Sequence, residues 1–298
     1  MKKPLVSVIT VVYNGAATLE NTITSVAGQT FRDLEYIIID GGSKDGTLDI
    51  IHKHTNTVTR WISEPDKGVY DAMNKGIRLT EGEWLYFLGS DDLFQDANVL
   101  ESFFSDPSLA NFDLVYGDVL SPSYKGRYDG EFTLEKLLSR NLSHQAAFYR
   151  KSLFTRLGYY DQRYRMHADW DFNLRCFSDP AVRTKYTGVL VATFGADGIS
   201  AGHDLPFLRE KLIPAKLQWL EGAGCKSLRR LSLYDEWWRF LRNAGFRAPS
   251  SVDFPLPVAL QRMLRWQRVI PDKLLKIGVF SKCWMFASYL ANRLTVSI

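Results

Sequence analysis

The feature that most narrows the fold is a regular alternation. From residue 5 to about residue 200, short apolar β-branched runs are separated by stretches of helical periodicity. The runs at 5–12, 34–40, 60–63, 83–88, 114–116 and 146–149 are too short for helices, so each predicts a strand. Helices are predicted over 17–27, 47–54, 70–79, 98–105 and 134–138, followed by a helix over 168–177 and a strand over 184–194. Strands interleaved with helices assemble into a mostly parallel sheet covered by helices, so the expected class is α/β. The chain has 298 residues, 46% of them apolar, enough for one large α/β domain and a smaller addition.

Beyond Pro206 the pattern changes to helices rich in Trp, Leu and Arg, interrupted by Pro249, Pro255 and Pro257. Residues 1–206 carry a net charge of −6 and residues 207–298 a net charge of +10, which sets the expected domain boundary. A basic, aromatic region suits an anionic partner, but no nucleic-acid motif accompanies the charge. Residues 276–290 are too few, and too interrupted by Lys282, to span a bilayer. They fit either an interfacial helix on an anionic membrane or a helix packed on the main domain with its basic face in solvent. Cys176, Cys225 and Cys283 are odd in number and far apart, so neither a disulfide framework nor a metal spacing emerges, and a reducing compartment is expected. The opening apolar run lacks a small-residue cleavage site and reads as a first strand, not a signal peptide.

The chemistry concentrates where strands run out. Gly89-Ser90-Asp91-Asp92 follows the predicted strand at 83–88. In open α/β sheets, ligands bind beyond the carboxyl ends of the strands. Adjacent carboxylates there are costly unless a cation or donor-rich ligand compensates them, and hard oxygen ligands suit Mg²⁺ or Mn²⁺ bridging to a diphosphate. A turn with a helix-capping Asp is the competing account. The strand at 34–40 ends in Asp40-Gly41-Gly42-Ser43-Lys44-Asp45-Gly46-Thr47, whose glycines allow tight turning and close approach to a ligand. Neither GxGxxG nor a P-loop occurs, so those phosphate sites are not indicated. Asp71 and Asn74 are three apart and share a helical face. Asn74 is a poor helix former in mid-helix, which a plain amphipathic helix does not account for.

Taken in order, Val-Ile-Thr-Val-Val-Tyr-Asn (8–14), the segment 40–47, Ser-Glu-Pro-Asp-Lys-Gly-Val-Tyr-Asp-Ala-Met-Asn-Lys-Gly (63–76) and Gly-Ser-Asp-Asp (89–92) closely resemble the family 2 glycosyltransferases of the GT-A fold. The similarity continues through Ser-His-Gln-Ala-Ala-Phe-Tyr-Arg (143–150) and Ala-Asp-Trp-Asp-Phe-Asn-Leu-Arg (168–175), and its details resemble bacterial enzymes of surface-polysaccharide assembly. The resemblance implies a GT-A type, Rossmann-like catalytic domain over 1–206 with a helical basic extension over 207–298. It implies that Thr10, Tyr13 and Asn14 border the nucleotide, and that Asp40 accepts a hydrogen bond from the base. Asp45 is read as a turn residue. Lys67 and Gly68 would meet the diphosphate, Asp71 and Asn74 the donor, and Asp91 the ribose or the metal. Asp92 would ligate Mn²⁺ or Mg²⁺, with His203 either a third ligand or an exposed loop residue.

By the same resemblance Asp169 falls on the position of the catalytic base, while Ala168 stands where the family commonly has Glu. Asp171 is the competing carboxylate and has Arg175 four residues on as a partner. His144 and Gln145 are expected near the donor sugar or acceptor, or as core residues. Trp170 either stacks on a sugar or packs inside. The implied activity is an inverting, metal-dependent hexosyltransferase that moves a sugar from a nucleotide-diphosphate donor to a lipid-linked saccharide acceptor. The implied location is the cytoplasmic face of a bacterial membrane, held peripherally. Two other readings stand beside it. A sugar nucleotidyltransferase would carry a glycine-rich basic loop after the first strand, where this chain has Tyr13-Asn14-Gly15-Ala16. A binding module with a degenerate site would not need Asp40, Asp91, Asp92 and Asp169 together.

Overall fold

A computed structural model describes residues 2–121, 126–128, 130–193 and 204–222. The chain divides into two compact units, Met1–Lys211 and Leu212–Ile298. In the second unit the helix Ile213–Gly222 is described. The expected membrane-contacting tail, Cys225, Cys283 and His203 lie outside the described residues. Among the described residues no helix is long and apolar enough to cross a membrane.

Among the described residues the first unit is built on a sheet of nine strands: β1 Val6–Val12, β2 Leu34–Asp40, β3 Arg60–Ser63, β4 Trp84–Phe87, β5 Leu93–Phe94, β6 Leu114–Ser121, β7 Gly126–Tyr128, β8 Ala147–Arg150 and β9 Thr184–Thr193. Helices α1 Leu19–Ala27, α2 Thr47–Lys53, α3 Val69–Leu79, α4 Val99–Phe104, α5 Leu134–Leu137, α6 Lys151–Leu157 and α7 Ala168–Ser178 connect and flank them. The spatial order is β3-β2-β1-β4-β8-β6-β9-β5, with β7 added to β6. Strands β1 to β4 pair in parallel. Val8, Ile9, Ile37, Ile38, Ile39, Leu85 and Phe87 of β1, β2 and β4 are buried, as expected for parallel strands covered on both faces. Gly76 of α3 lets that helix lie close on the sheet, because a Cβ there would meet Ile9 Cγ2 at 2.6 Å.

Past β4 the sheet is mixed. Strand β8 runs antiparallel to both β4 and β6, β9 is parallel to β6, and β5 and β7 pair antiparallel with β9 and β6. The mostly parallel arrangement thus holds for the first four strands. The two registers position the site. Val12, Asp40 and Ser63 stand level at the carboxyl ends of β1, β2 and β3. Because β8 is antiparallel to β4, with Tyr86 opposite Phe148, the residues just before β8 reach the end from which Gly89–Asp92 emerges. Segments 13–15, 41–46, 64–68, 88–92 and 143–146 therefore gather at one edge of the sheet.

Candidate active site

The edge begins with the loop after β1. Tyr13 is 66% exposed, an apolar ring presented to solvent at a strand end. Asn14 takes a positive φ of 52°. Its N–H donates to Ser43 Oγ at 2.7 Å, and its Oδ1 accepts from the Lys44 N–H at 3.0 Å. Asp45 ties the same two loops by accepting from the Ala16 N–H at 3.0 Å and the Thr47 hydroxyl at 2.6 Å. Thr10 lies inside β1, not after it; it is fully buried and its hydroxyl accepts from Tyr36 at 3.0 Å. That interior position removes it from the nucleotide-bordering set.

Asp40 is fully buried at the end of β2. Its Oδ2 accepts from the N–H groups of Gly42 and Ser43 at 3.0 Å each and from Ser63 Oγ at 2.6 Å. Its Oδ1 is buried without a hydrogen-bond partner. A buried carboxylate oxygen left open is costly, and a donor from a bound ligand would relieve that cost.

The loop ahead of α3 is shaped by two carboxylates. Asp66 accepts from the Gly68 N–H at 2.8 Å, and Asp71 accepts from the Lys67 N–H at 3.1 Å and from Gln162 Nε2 at 3.0 Å. Gly68 has a φ of 117°, in the range that favours glycine. Lys67 is exposed. Asn74, expected at the donor, is buried instead. Its amide donates to the Tyr160 carbonyl at 2.9 Å and accepts from the Tyr160 N–H at 3.1 Å. Both ends of the side chain are engaged, so its role here is to brace the 160 segment against α3.

At the end of β4, Asp92 is 3% exposed, whereas Asp91 faces solvent. Asp92 Oδ2 accepts from the Gly89 N–H at 3.1 Å and from Gln145 Nε2 at 2.9 Å. Only glycine at 89 permits this fold-back, since a Cβ there would lie 2.4 Å from Oδ2. Burial, reinforced by the neighbouring charge of Asp91, pushes the Asp92 carboxyl above its usual range against the pull of Gln145, His144 and Gly89. Among the described residues no group of three or more His, Cys, Asp or Glu is clustered for a metal. Asp91 and Asp92 fit a hard divalent cation of the kind that one or two carboxylates share with a diphosphate and water.

Asp169, in the first turn of α7, is 6% exposed. Its Oδ1 accepts from Tyr70 Oη at 2.7 Å and from the Trp170 N–H at 2.9 Å. Its Oδ2 accepts from Asn141 Nδ2 at 2.8 Å and faces His144 Nδ1 at 3.5 Å. Burial alone would raise this carboxyl, but His144, Tyr70 and His167 outweigh it and hold it below the usual range. His144 and Gln145 are adjacent, one facing Asp169 and the other bonded to Asp92, so a single dipeptide joins the two carboxylates. Gln145 is itself oriented by Ser143, whose hydroxyl donates to Gln145 Oε1 at 2.6 Å.

Asp171 is separate from this group. It is buried against Arg175 Nη2 at 2.9 Å and Nε at 3.0 Å, with Lys211 at 3.5 Å. Trp170 packs inside, its indole N–H donating to the Leu137 carbonyl at 2.8 Å and its ring 5.3 Å from Phe207. Sequence reasoning missed Tyr70, Asn141 and Asn173. Asn173 donates to Asn141 Oδ1 at 3.0 Å and accepts from Tyr149 at 2.8 Å, which fixes the amide that holds Asp169. Tyr70 was masked by its own spacing, because with Met73 and Ile77 it reads as one more apolar position of α3.

A sheet parallel at its switch point, with carboxylates at the strand ends, is the α/β arrangement in which ligands bind beyond the carboxyl ends of the strands. Residues 7–169 match the family described as Glycosyl transferase family 2, and the chain belongs to it. A PGL/p-HBAD biosynthesis glycosyltransferase of Mycobacterium bovis is 46% identical over 205 residues, covering 66% of this chain and 79% of that protein. The crystal structure of S. aureus TarS 1-349 in complex with UDP-GlcNAc shares the fold with a TM-score of 0.68 at 19% identity, over 98% of this chain and 89% of that one. The mannosyltransferase PcManGT from Pyrobaculum calidifontis in complex with GDP-Man and Mn2+ aligns with a TM-score of 0.50 at 16% identity, over 100% of this chain and 88% of that one.

Proposed function

We propose that the protein moves a glycosyl group from a nucleoside diphosphate sugar to a hydroxyl of a saccharide acceptor with inversion, Asp169 serving as general base. The observation that carries this reading is the His144-Gln145 bridge, which sets a carboxylate held ionised by its donors beside a carboxylate suited to a cation. Asp40, with its open Oδ1, takes a donor from the nucleobase, and Tyr13 offers its ring for stacking. Lys67, Gly68 and Asp71 line the diphosphate side, and His144 and Gln145 border the transferred sugar. Asp91 and Asp92 would hold Mg²⁺ or Mn²⁺, which when bound compensates the charge of the departing diphosphate. Asp169 draws the proton from the acceptor hydroxyl as that oxygen attacks the anomeric carbon opposite the leaving group, a contribution of about 10²–10⁴-fold in rate.

A lipid-linked saccharide acceptor and a peripheral location at the membrane are supported by the basic charge of residues 207–298. The test is incubation with a panel of UDP-, GDP- and dTDP-sugars in Mn²⁺, with product mass spectrometry. Donor hydrolysis or transfer lost in Asp169→Asn, and nucleotide binding that no longer responds to metal in Asp92→Ala, support the proposal. Pyrophosphate-dependent nucleoside triphosphate formation would identify a nucleotidyltransferase, and binding without turnover a non-catalytic module.

A further inference from the structure

Asp169 presents four lone-pair directions, and the structure accounts for three. Oδ1 is occupied twice, by the Tyr70 hydroxyl and the Trp170 N–H, and Oδ2 once, by Asn141. The fourth direction, on Oδ2, faces His144 Nδ1 at 3.5 Å, the longest of these contacts, and the His144 side chain is 19% exposed. An acceptor hydroxyl that gives its proton to this carboxylate therefore approaches Oδ2, while Oδ1 stays in the grip of Tyr70. That hydroxyl has one proton and two acceptors within reach: Asp169 Oδ1 at 2.7 Å and the Met166 carbonyl at 2.9 Å. Met166 is itself anchored, its N–H in the preceding peptide donating to Asp204 Oδ2 at 2.9 Å. The tyrosine is 7% exposed, its ring 5.4 Å from that of Tyr160, so water does not compete freely for its hydroxyl.

We propose that Tyr70 is a positioning residue for the base, donating to Asp169 Oδ1 while the carboxylate is charged and turning to the Met166 carbonyl once the proton has arrived. The inference rests on the reading of Asp169 as the base. In the step, the acceptor O–H proton passes to Asp169 Oδ2 and the acceptor oxygen bonds to the anomeric carbon. The bond from that carbon to the diphosphate oxygen breaks, its electron pair leaving with the nucleoside diphosphate. A donor bound only to Asp169 would oppose proton uptake throughout. A donor with a second acceptor at hand orients the charged base and then releases it, leaving no buried hydroxyl unpaired.

The experiment follows nucleoside diphosphate release against pH, using whichever sugar nucleotide of the UDP-, GDP- and dTDP- panel the wild-type protein turns over fastest. Tyr70→Phe should lower the melting temperature by a few degrees, keep a donor KM within about twofold, and lower kcat about 10-fold. Its acid limb should move to higher pH by about one unit, because the charged form has lost a donor. A ring-fluorinated tyrosine at position 70, nearly isosteric and a stronger donor, should move the limb to lower pH and serves if the Phe variant folds poorly. A kcat loss with both limbs unmoved, or wild-type rate and profile in Tyr70→Phe, overturns the proposal. Should Asp169→Asn retain near-wild-type turnover, the base reading fails first. An inactive Asp169→Asn beside an unperturbed Tyr70→Phe sinks the tyrosine alone.

Discussion

Two carboxylates stand two residues apart at the start of α7, and Asp171→Asn separates their roles. Asp171 is buried, and Oδ2 receives both Nε and Nη2 of Arg175 at 3.0 and 2.9 Å. Arg175 in turn donates to the carbonyls of Gly158 and Tyr159 at 3.0 and 2.9 Å, closing the turn after α6. Asparagine keeps an acceptor but removes the charge, so two charge-assisted bonds become ordinary ones, a loss of about 1 kcal/mol each. Arg175 retains partial solvent access, which limits the penalty of leaving it unpaired, so the expected destabilisation is about 2 kcal/mol. For a unit of this size that lowers the melting temperature by about 4–8 °C. Turnover of the preferred sugar nucleotide should stay within about threefold of wild type, since no bond of Asp171 reaches the cleft. Asp169→Asn is the mirror case. Its new amide would face either Tyr70 or Asn141, and Asn141 cannot flip without losing the bond its Oδ1 accepts from Asn173. A modest stability loss is expected, with turnover down about 10²–10⁴-fold. Calorimetry and nucleoside diphosphate release on both variants decide the matter. Asp171→Asn with an unchanged melting temperature and a hundredfold loss of turnover would refute the assignment.

Three further outcomes are expected. Gly89→Ala should abolish metal-dependent nucleoside diphosphate binding in calorimetric titration, because the added Cβ falls 2.4 Å from Asp92 Oδ2 and drives the carboxylate from its place. Asp92 is held above the usual carboxyl range, first by burial and then by Asp91. A cation binds its ionised form, so nucleotide affinity in Mn²⁺ should fall as pH drops through a window above the ordinary carboxylate value of about 3.9, and Asp91→Asn should move that window down. Asn74→Ala removes two bonds to the Tyr160 backbone and strands a buried N–H and C=O. Denaturant unfolding should register a loss of about 2–4 kcal/mol, with donor affinity per folded molecule unchanged.

What the sequence made legible, and what it did not, follows from the range of the interactions involved. Strands β1 to β4 are local events, β-branched runs bounded by turn residues, and helices α1 to α3 follow from periodicity. Asp92 stood out because charge beside an apolar run is costly wherever it occurs, whereas Asp40 and Asp169 were marked by the resemblance to family 2 glycosyltransferases. Strands β5 and β7 are two and three residues long and exist only through pairing with β9 and β6, so no local signal marks them. Asn74 showed why polarity in mid-helix is ambiguous. The same amide that could meet a ligand also satisfies a peptide group, and here it does the second. The decisive hidden variable was the direction of β8. Run parallel to β4, it would carry His144 and Gln145 to the far edge of the sheet, and Asp92 and Asp169 would share no partner. Run antiparallel, with Tyr86 opposite Phe148, it brings both residues to the end of β4. The candidate site is therefore a consequence of one strand's sense, and its two carboxylates are coupled by a dipeptide that belongs to neither of their motifs.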